Sequence, residues 1–248
     1  MPLFEYTTRN INGRDWRVAK ALIDVNSDFV QHCRRATTEK MQHLMGAGQD
    51  GANRDQQTRW ENLFRGMIAE RYCQELLKEW LQASGLINWE VVLYDDVRTD
   101  GYIIPDKSYD LKIQKNKDEA DNYLLEVRSS VTYARDLDSS LRDLDIIGPY
   151  TSPAKANEDY VDFYIRPLYD NLQPMPAIQF SQFLANGRVV LYFVGGCLRE
   201  QMENRGIRKN MSQGTTLYRC VPIMAAGDIV TFRDEFLAVF RNRDAARI

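Results

Sequence analysis

The sequence predicts an α/β protein with a mixed β-sheet flanked by helices. Three observations predict this class: a long amphipathic pattern at Arg54–Gln82, a hairpin-like pair of segments within Tyr109–Ser130, and apolar runs that alternate with helical patterns after residue 131. Strands and helices that alternate along a chain are typical of a sheet covered by helices. The 248 residues, 44% of them hydrophobic, are enough for a large core.

The N-terminal part predicts helix. Apolar residues recur every three or four positions across residues 15–45, and Asn26-Ser27-Asp28 offers a fresh N-cap before Phe29. A connection rich in Gly, Asp and Asn follows at residues 46–53. We therefore expect an N-terminal helical segment, residues 1–52, followed by an α/β domain, residues 53–248.

Arg54–Gln82 has the strongest helical pattern in the chain. Its apolar stripe consists of Trp60, Leu63, Phe64, Met67, Ile68, Tyr72, Leu76 and Trp80. Glu70 lies beside this stripe rather than opposite it, at the margin between core and solvent. Gly66, one turn earlier, would allow another element to approach closely. Glu70 is therefore either a boundary acid paired with an arginine or a residue of a functional site.

The rest of the chain alternates between strand and helix patterns. In order, the predicted elements are a strand at Ile87–Tyr94, the hairpin, a helix within Val131–Ile147, strands at Tyr160–Leu168 and Arg188–Val194, a short helix at Leu198–Asn204, a basic loop at Arg205–Gly214, a strand at Thr215–Ile223 and a helix at Asp228–Phe240. Pro167 predicts that its strand lies at a sheet edge or ends there. Gly195-Gly196 predicts a tight turn, and Gly148-Pro149-Tyr150 predicts the end of a helix.

The hairpin carries the strongest candidate site. Its segments, Asp110–Gln114 and Tyr123–Ser129, flank a polar loop, and their pairing places Asp110 opposite Glu126 or within about one residue of it. The two-residue period of a strand puts Glu126 and Arg128 on one face. Two carboxylates beside one cation are suited to hold a divalent metal next to a phosphate. They are also compatible with a simple cross-strand polar cluster.

These residues resemble the PD-(D/E)xK nuclease superfamily, and most of all a type II restriction endonuclease. The resemblance covers roughly residues 55–240 and rests on Glu70 on a helix, Asp110 opening a strand, and Glu126-Val127-Arg128 ending its partner. It implies a restriction-endonuclease-like mixed sheet flanked by helices. The family has lysine where this chain has Arg128. Pro105-Asp106 is a literal alternative for the first acid, although hairpin pairing favours Asp110.

The resemblance also implies an activity, namely Mg²⁺-dependent hydrolysis of phosphodiester bonds in double-stranded DNA. Asp110, Glu126 and the carbonyl of Val127 would bind Mg²⁺, for which Mn²⁺ can substitute, and Glu70 would hold a second metal or a hydrated ligand. Arg128 would lie against the attacking water or a phosphate oxygen. Because arginine cannot be deprotonated, loss of activity stays an open alternative. Cutting both strands of a palindromic site suits a homodimer.

A basic stretch supplies candidate DNA contacts. Four basic residues lie in the predicted short helix and in the loop that follows it: Arg199, Arg205, Arg208 and Lys209. Such side chains bind phosphates or guanine edges. The alternative is a solvated loop.

Composition excludes or disfavours several other classes. The net charge of −3 argues against a broad nucleic-acid coat. The four widely spaced cysteines argue against a zinc ribbon and favour buried, reduced thiols in a cytoplasmic protein. No stretch resembles a secretory signal or a membrane span. With two histidines in the chain, histidine-dependent nucleases are disfavoured. Two further alternatives are a non-catalytic DNA-binding or assembly protein with a nuclease-like scaffold, and an unrelated α/β interaction protein.

Overall fold

The computed structural model describes residues 3–43, 55–102, 109–115, 118–132, 136–152, 158–170, 180–186, 189–211 and 215–246. The strands are β1 (Glu5–Ile11), β2 (Arg14–Ile23), β3 (Trp89–Leu93), β4 (Leu111–Lys115), β5 (Asp118–Val127), β6 (Ser130–Val131), β7 (Asp145–Thr151), β8 (Phe163–Asp170), β9 (Val189–Leu198), β10 (Ile207–Asn210) and β11 (Leu217–Pro222). The helices are α1 (Asp28–Met41), α2 (Gln56–Ala83), α3 (Tyr94–Val97), α4 (Leu137–Asp143), α5 (Phe180–Asn186), α6 (Arg199–Arg205) and α7 (Ile229–Ala245), with a short 3-10 helix at Ile223–Ala225.

Two sheets form the framework. The main sheet has the order β1-β2-β9-β8-β5-β4-β3, and β6 also pairs with β8. Strands β5 and β6 run parallel to β8, whereas the other pairs in this sheet are antiparallel. A smaller antiparallel sheet has the order β10-β11-β7. The expected class, an α/β fold with a mixed sheet flanked by helices, is confirmed.

Each face of the main sheet has its own core. One core contains apolar residues of α1, α2, α5 and α7, and the rings of Phe163, Phe232, Phe236 and Phe240 pack together in it. The other core joins the opposite face to α4, to α6 and to β7 and β11 of the small sheet. Side chains that alternate along β5 therefore point into different environments. Leu125 and Val127 lie in the first core, and Glu126 lies on the opposite face.

The N-terminal prediction is wrong for residues 15–23. These residues form a hairpin with β1, turning at Asn12-Gly13 with φ of 54° and 79°, and β2 pairs with β9 in the main sheet. The buried face of β2 changes along the strand: Trp16 and Val18 enter one core, whereas Ala19, Ala21 and Ile23 enter the opposite core. When both faces of a strand carry apolar residues, the spacing of these residues along the sequence resembles that of a helix. Helix α1 and its Ser27 cap are confirmed, since Ser27 Oγ accepts the Val30 N–H at 3.3 Å.

Two other predictions fail where tertiary packing decides the local structure. The helix predicted within residues 131–147 is confined to α4, and Gly148-Pro149-Tyr150 belongs to β7. Gly195-Gly196 lies inside β9 rather than in a turn. A Cβ on Gly196 would lie 2.7 Å from the Phe232 ring, so glycine is required by the close approach of α7.

Strand β8, which contains Pro167, is central, between β5 and β9, although the proline predicts an edge or a strand end. The register of β8 against β9 shifts between Ile165 and Pro167. At such a shift the missing N–H of proline costs no ladder hydrogen bond. The basic stretch also differs from the predicted loop, because residues 207–210 form β10.

All four cysteines are buried and form no disulfide, as the sequence predicts. No helix within the described ranges is long and apolar enough to cross a membrane.

Candidate active site

Asp110 lies beside the end of β5. The ladder pairs Leu111 with Leu125, and the Asp110 N–H donates to the Leu125 carbonyl at 3.0 Å. This register continues to Asp110 opposite Glu126, which is the pairing that the hairpin predicts. The Asp110 carboxylate also accepts the Val127 N–H at 2.7 Å, so it is fixed across the last residues of β5.

Arg128 lies between two carboxylates. Its Nε is 2.6 Å from Glu126 Oε1, and its Nη2 is 3.3 Å from Glu158 Oε2. The Tyr150 N–H donates to Glu158, and the guanidinium of Arg128 lies 5.6 Å from the centre of the Tyr150 ring. Glu158 was not predicted as a site residue, because it follows a polar stretch with no strand or helix pattern. Its position depends on hydrogen bonds to Tyr150 of β7, and no local sequence pattern predicts these bonds.

Burial dominates the electrostatics of this cluster. The Glu126 residue is 8% exposed, and this burial raises the pKa of its carboxyl well above the usual range. Arg128 opposes the rise, whereas the nearby charges of Asp110 and Glu158 add to it. Burial alone would lower the pKa of Arg128, but the three carboxylates outweigh it and raise that pKa. The cluster therefore has more acid than base, and an additional cation would relieve it.

Glu70 lies on α2, one turn after Gly66. Its Oε1 lies 3.5 Å from the position that a Cβ on Gly66 would take, so the carboxylate leans towards the preceding turn. Burial raises the pKa of the Cys73 thiol well above its usual value, and the charges of Asp110 and Glu70 raise it further. The charges of both carboxylates therefore reach Cys73, which lies one turn after Glu70 on α2.

A network of charged residues supports Asp110 from the side of α3. The Tyr94 N–H donates to the Asp110 carbonyl at 2.9 Å, and the Arg98 guanidinium lies 5.2 Å from the Tyr94 ring centre. Arg98 pairs with Asp100 at 2.8 Å and with Asp95 at 3.4 Å. The Arg98 side chain is only 4% exposed, so the network holds this backbone in one position.

The predicted DNA contacts lie on ordered elements. Arg199 and Arg205 are on α6, and Arg208 and Lys209 are on β10. Arg199 pairs with Glu203 at 2.7 Å, and Arg205 donates to a backbone carbonyl at 3.0 Å. Lys209 contacts both oxygens of a buried aspartate at 2.8 Å, whereas Arg208 is exposed. The strand that carries Arg208 belongs to the small sheet, whose β7 contacts Arg128 through Tyr150.

The oxygen-rich donor set suits Mg²⁺ or Mn²⁺. Asp110, Glu126 and Glu158 offer only carboxylate oxygens, and their mutual repulsion in a buried site is what a divalent cation relieves. Within the described ranges, however, no group of three or more His, Cys, Asp or Glu side chains is arranged as a preformed metal site. Asp106, the alternative first acid, lies outside the described residues.

Comparisons with known proteins add little functional information. No family model matches the chain, and no solved structure matches it. The chain is similar to the uncharacterized protein MJECS01 of Methanocaldococcus jannaschii, with 26% identity over 195 residues that cover 67% of each chain. The description of that relative names no activity, so a functional assignment depends on the site itself.

Proposed function

We propose that the protein is a Mg²⁺-dependent DNA endonuclease of the PD-(D/E)xK type. The observation that carries this proposal is the convergence of Asp110, Glu126 and Arg128 at the ends of two paired strands. The strand order around them supports it. Helix α2 precedes the antiparallel β3-β4-β5 unit, and β5 then pairs in parallel with β8, which makes the sheet mixed.

Each site residue has a role in this proposal. Asp110, Glu126 and the carbonyl of Val127 bind the metal, and Glu70 orients a second ion or its water. A metal bound there would supply an activated water and neutralise charge on the phosphate. Arg128 stabilises the negative charge that develops on the phosphate oxygens, since its guanidinium stays protonated.

The finer proposal is a sequence-specific type II restriction enzyme that acts as a homodimer on double-stranded DNA. The exposed position of Arg208, on a sheet that adjoins the site, supports a DNA surface there. Arg199, Arg205 and Lys209 would have to exchange their present partners for phosphates or bases.

A second candidate function has its own support. Arg128 replaces the expected lysine and already neutralises Glu126 at 2.6 Å. A cation built into the chain can take the place of the metal, and the result would be a DNA-binding or assembly protein that does not cut.

Digestion of a long unmethylated DNA with Mg²⁺ tests both candidates. We expect cleavage by the wild type, loss of cleavage in an Asp110→Asn/Glu126→Gln variant, and unchanged cleavage in Asp234→Asn, a matched control at an exposed position of α7. Cleavage that survives in the double variant would remove the assignment. Discrete fragments would indicate restriction, a smear would indicate a non-specific nuclease, and DNA binding without cleavage would select the second candidate.

A further inference from the structure

Glu158 holds one end of the Arg128 guanidinium. Arg128 Nη2 donates a hydrogen bond to Glu158 Oε2 at 3.3 Å. Arg128 Nε lies closer to Glu126 Oε1, at 2.6 Å, but this Nε has no well-aligned hydrogen-bond acceptor within the described ranges. A hydrogen bond depends on direction, whereas the attraction between two charges depends mainly on their distance. The contact with Glu158 therefore orients the guanidinium, while the contact with Glu126 mainly attracts it.

Glu158 is itself fixed on the small sheet by two contacts with one backbone. Its N–H donates to the Tyr150 carbonyl at 3.2 Å, and its carboxylate accepts the Tyr150 N–H at 3.3 Å. Tyr150 belongs to β7 and pairs with Tyr218 of β11, and the centres of the two rings lie 5.4 Å apart. The Glu158 side chain is only 8% exposed. The small sheet therefore holds Glu158 in one place, and Glu158 can hold Arg128 in turn.

Other contacts fix the rest of Arg128. Its N–H donates to the Ile165 carbonyl at 3.3 Å, and its carbonyl accepts a hydrogen bond from the Arg166 side chain of β8. The Tyr150 ring lies against the guanidinium as a cation–π partner. The backbone of Arg128 is thus set by β8, and its guanidinium is set by Glu158 and Tyr150. Because 26% of the side chain stays exposed, a ligand can still reach it.

Charge balance alone does not explain Glu158. Glu126 already neutralises Arg128, and the charge of Glu158 adds to the repulsion within the acidic cluster. We propose that Glu158 is a positioning residue, which aims the Arg128 guanidinium at the phosphate of the substrate. A fixed donor stabilises developing charge better than a mobile one, because it need not reorganise during the reaction. The catalytic part of this inference rests on the proposed function, whereas the fixed orientation of Arg128 does not.

The orientation of Arg128 is measured first, in the full-length protein without metal or DNA. Hydrogen bonds to the Nη groups slow the rotation about the Cζ–Nη bonds of an arginine, and NMR of the guanidinium nitrogens gives the rate. In Glu158→Gln we expect this rotation in Arg128 to be about tenfold faster, since a charge-assisted hydrogen bond is replaced by a neutral one at best. Glu75→Gln, a matched change of an exposed acid on α2, should leave it unchanged. An unchanged rate in Glu158→Gln would overturn the proposal.

If Glu158→Gln does not fold, the wild type decides this part by itself. Rotation in Arg128 should be about tenfold slower than in Arg241, an exposed arginine of α7, and equal rates would overturn the proposal.

Cleavage of plasmid DNA with Mg²⁺ tests the catalytic part. Glu158→Gln should lower kcat by about tenfold and change KM for DNA by less than about twofold, because the oriented guanidinium acts on the transition state. In an Arg128→Lys background the same change should have a much smaller effect, since an ammonium is a point charge without a plane to orient. A raised KM with unchanged kcat, or an equal decrease of kcat in both backgrounds, would overturn the positioning role.

The two proposals fail in different ways. A wild type that does not cut, but whose Arg128 rotation depends on Glu158, removes the nuclease function and leaves the orientation of Arg128 established. A wild type that cuts, with kcat unaffected by Glu158→Gln, keeps the nuclease function and overturns the role of Glu158.

Discussion

Replacing Glu126 with glutamine tests the electrostatics of the site. The wild-type carboxyl is buried, and its pKa is raised well above that of an unfolded glutamate. At pH values between the pKa of this carboxyl in the unfolded chain and its pKa in the folded protein, the native state holds a proton that the unfolded chain has already released. The stability of the wild type should therefore decrease as pH rises through this window, and the glutamine variant should lack that decrease.

The magnitude follows from burial and from one ion pair. Each unit by which the pKa is raised corresponds to about 1.4 kcal/mol, and removing a carboxylate from water costs several kcal/mol before its partners compensate. Arg128 Nε, at 2.6 Å, compensates for part of this cost, but it is shared with Glu158. We expect the stability of the variant relative to wild type to increase by about 1–3 kcal/mol from about pH 5 to about pH 8.

Urea denaturation at a series of pH values measures this difference. Glu200→Gln, at an exposed position of α6, is the matched control and should follow the wild-type curve. Parallel curves for wild type and Glu126→Gln would refute the reasoning, because they would mean that Glu126 has the same pKa in both states. If the stability of Glu126→Gln relative to wild type fell as the pH rises, the ion pair with Arg128 would lower the pKa of the Glu126 carboxyl by more than burial raises it.

Three other substitutions give separate expectations. Arg128→Lys keeps the positive charge, so this variant should cut plasmid DNA if the nuclease proposal is right. If the variant folds and binds DNA but neither it nor the wild type cuts, the catalytic role of Arg128 is contradicted. Asp228→Ala removes the cap of α7 and the partner of Arg17 at 2.6 Å, and should cost about 2–3 kcal/mol in urea denaturation; less than about 0.5 kcal/mol would contradict that role. Gly196→Ala brings a Cβ to 2.7 Å from the Phe232 ring, and should lower unfolding free energy by about 1–3 kcal/mol; an unchanged melting curve would show that α7 shifts freely.

Local patterns predicted the elements that have a clear period. The long helix α2, the β4-β5 hairpin and the capped helix α7 all appear in the structure, because an apolar stripe, an alternation and an Asp cap are each encoded within a few residues. The juxtaposition of Asp110 and Glu126 followed from hairpin register alone. These contacts are short in sequence, so local signals were sufficient.

The missed features depend on contacts between distant parts of the chain. Strand β2 has helix-like spacing because its buried face changes after Val18, and its pairing with β1 and β9 makes it a strand. Glu158 joins Arg128 through its contact with β7. Pairing of distant segments decides both of these cases, and the sequence carries no periodic signal for it.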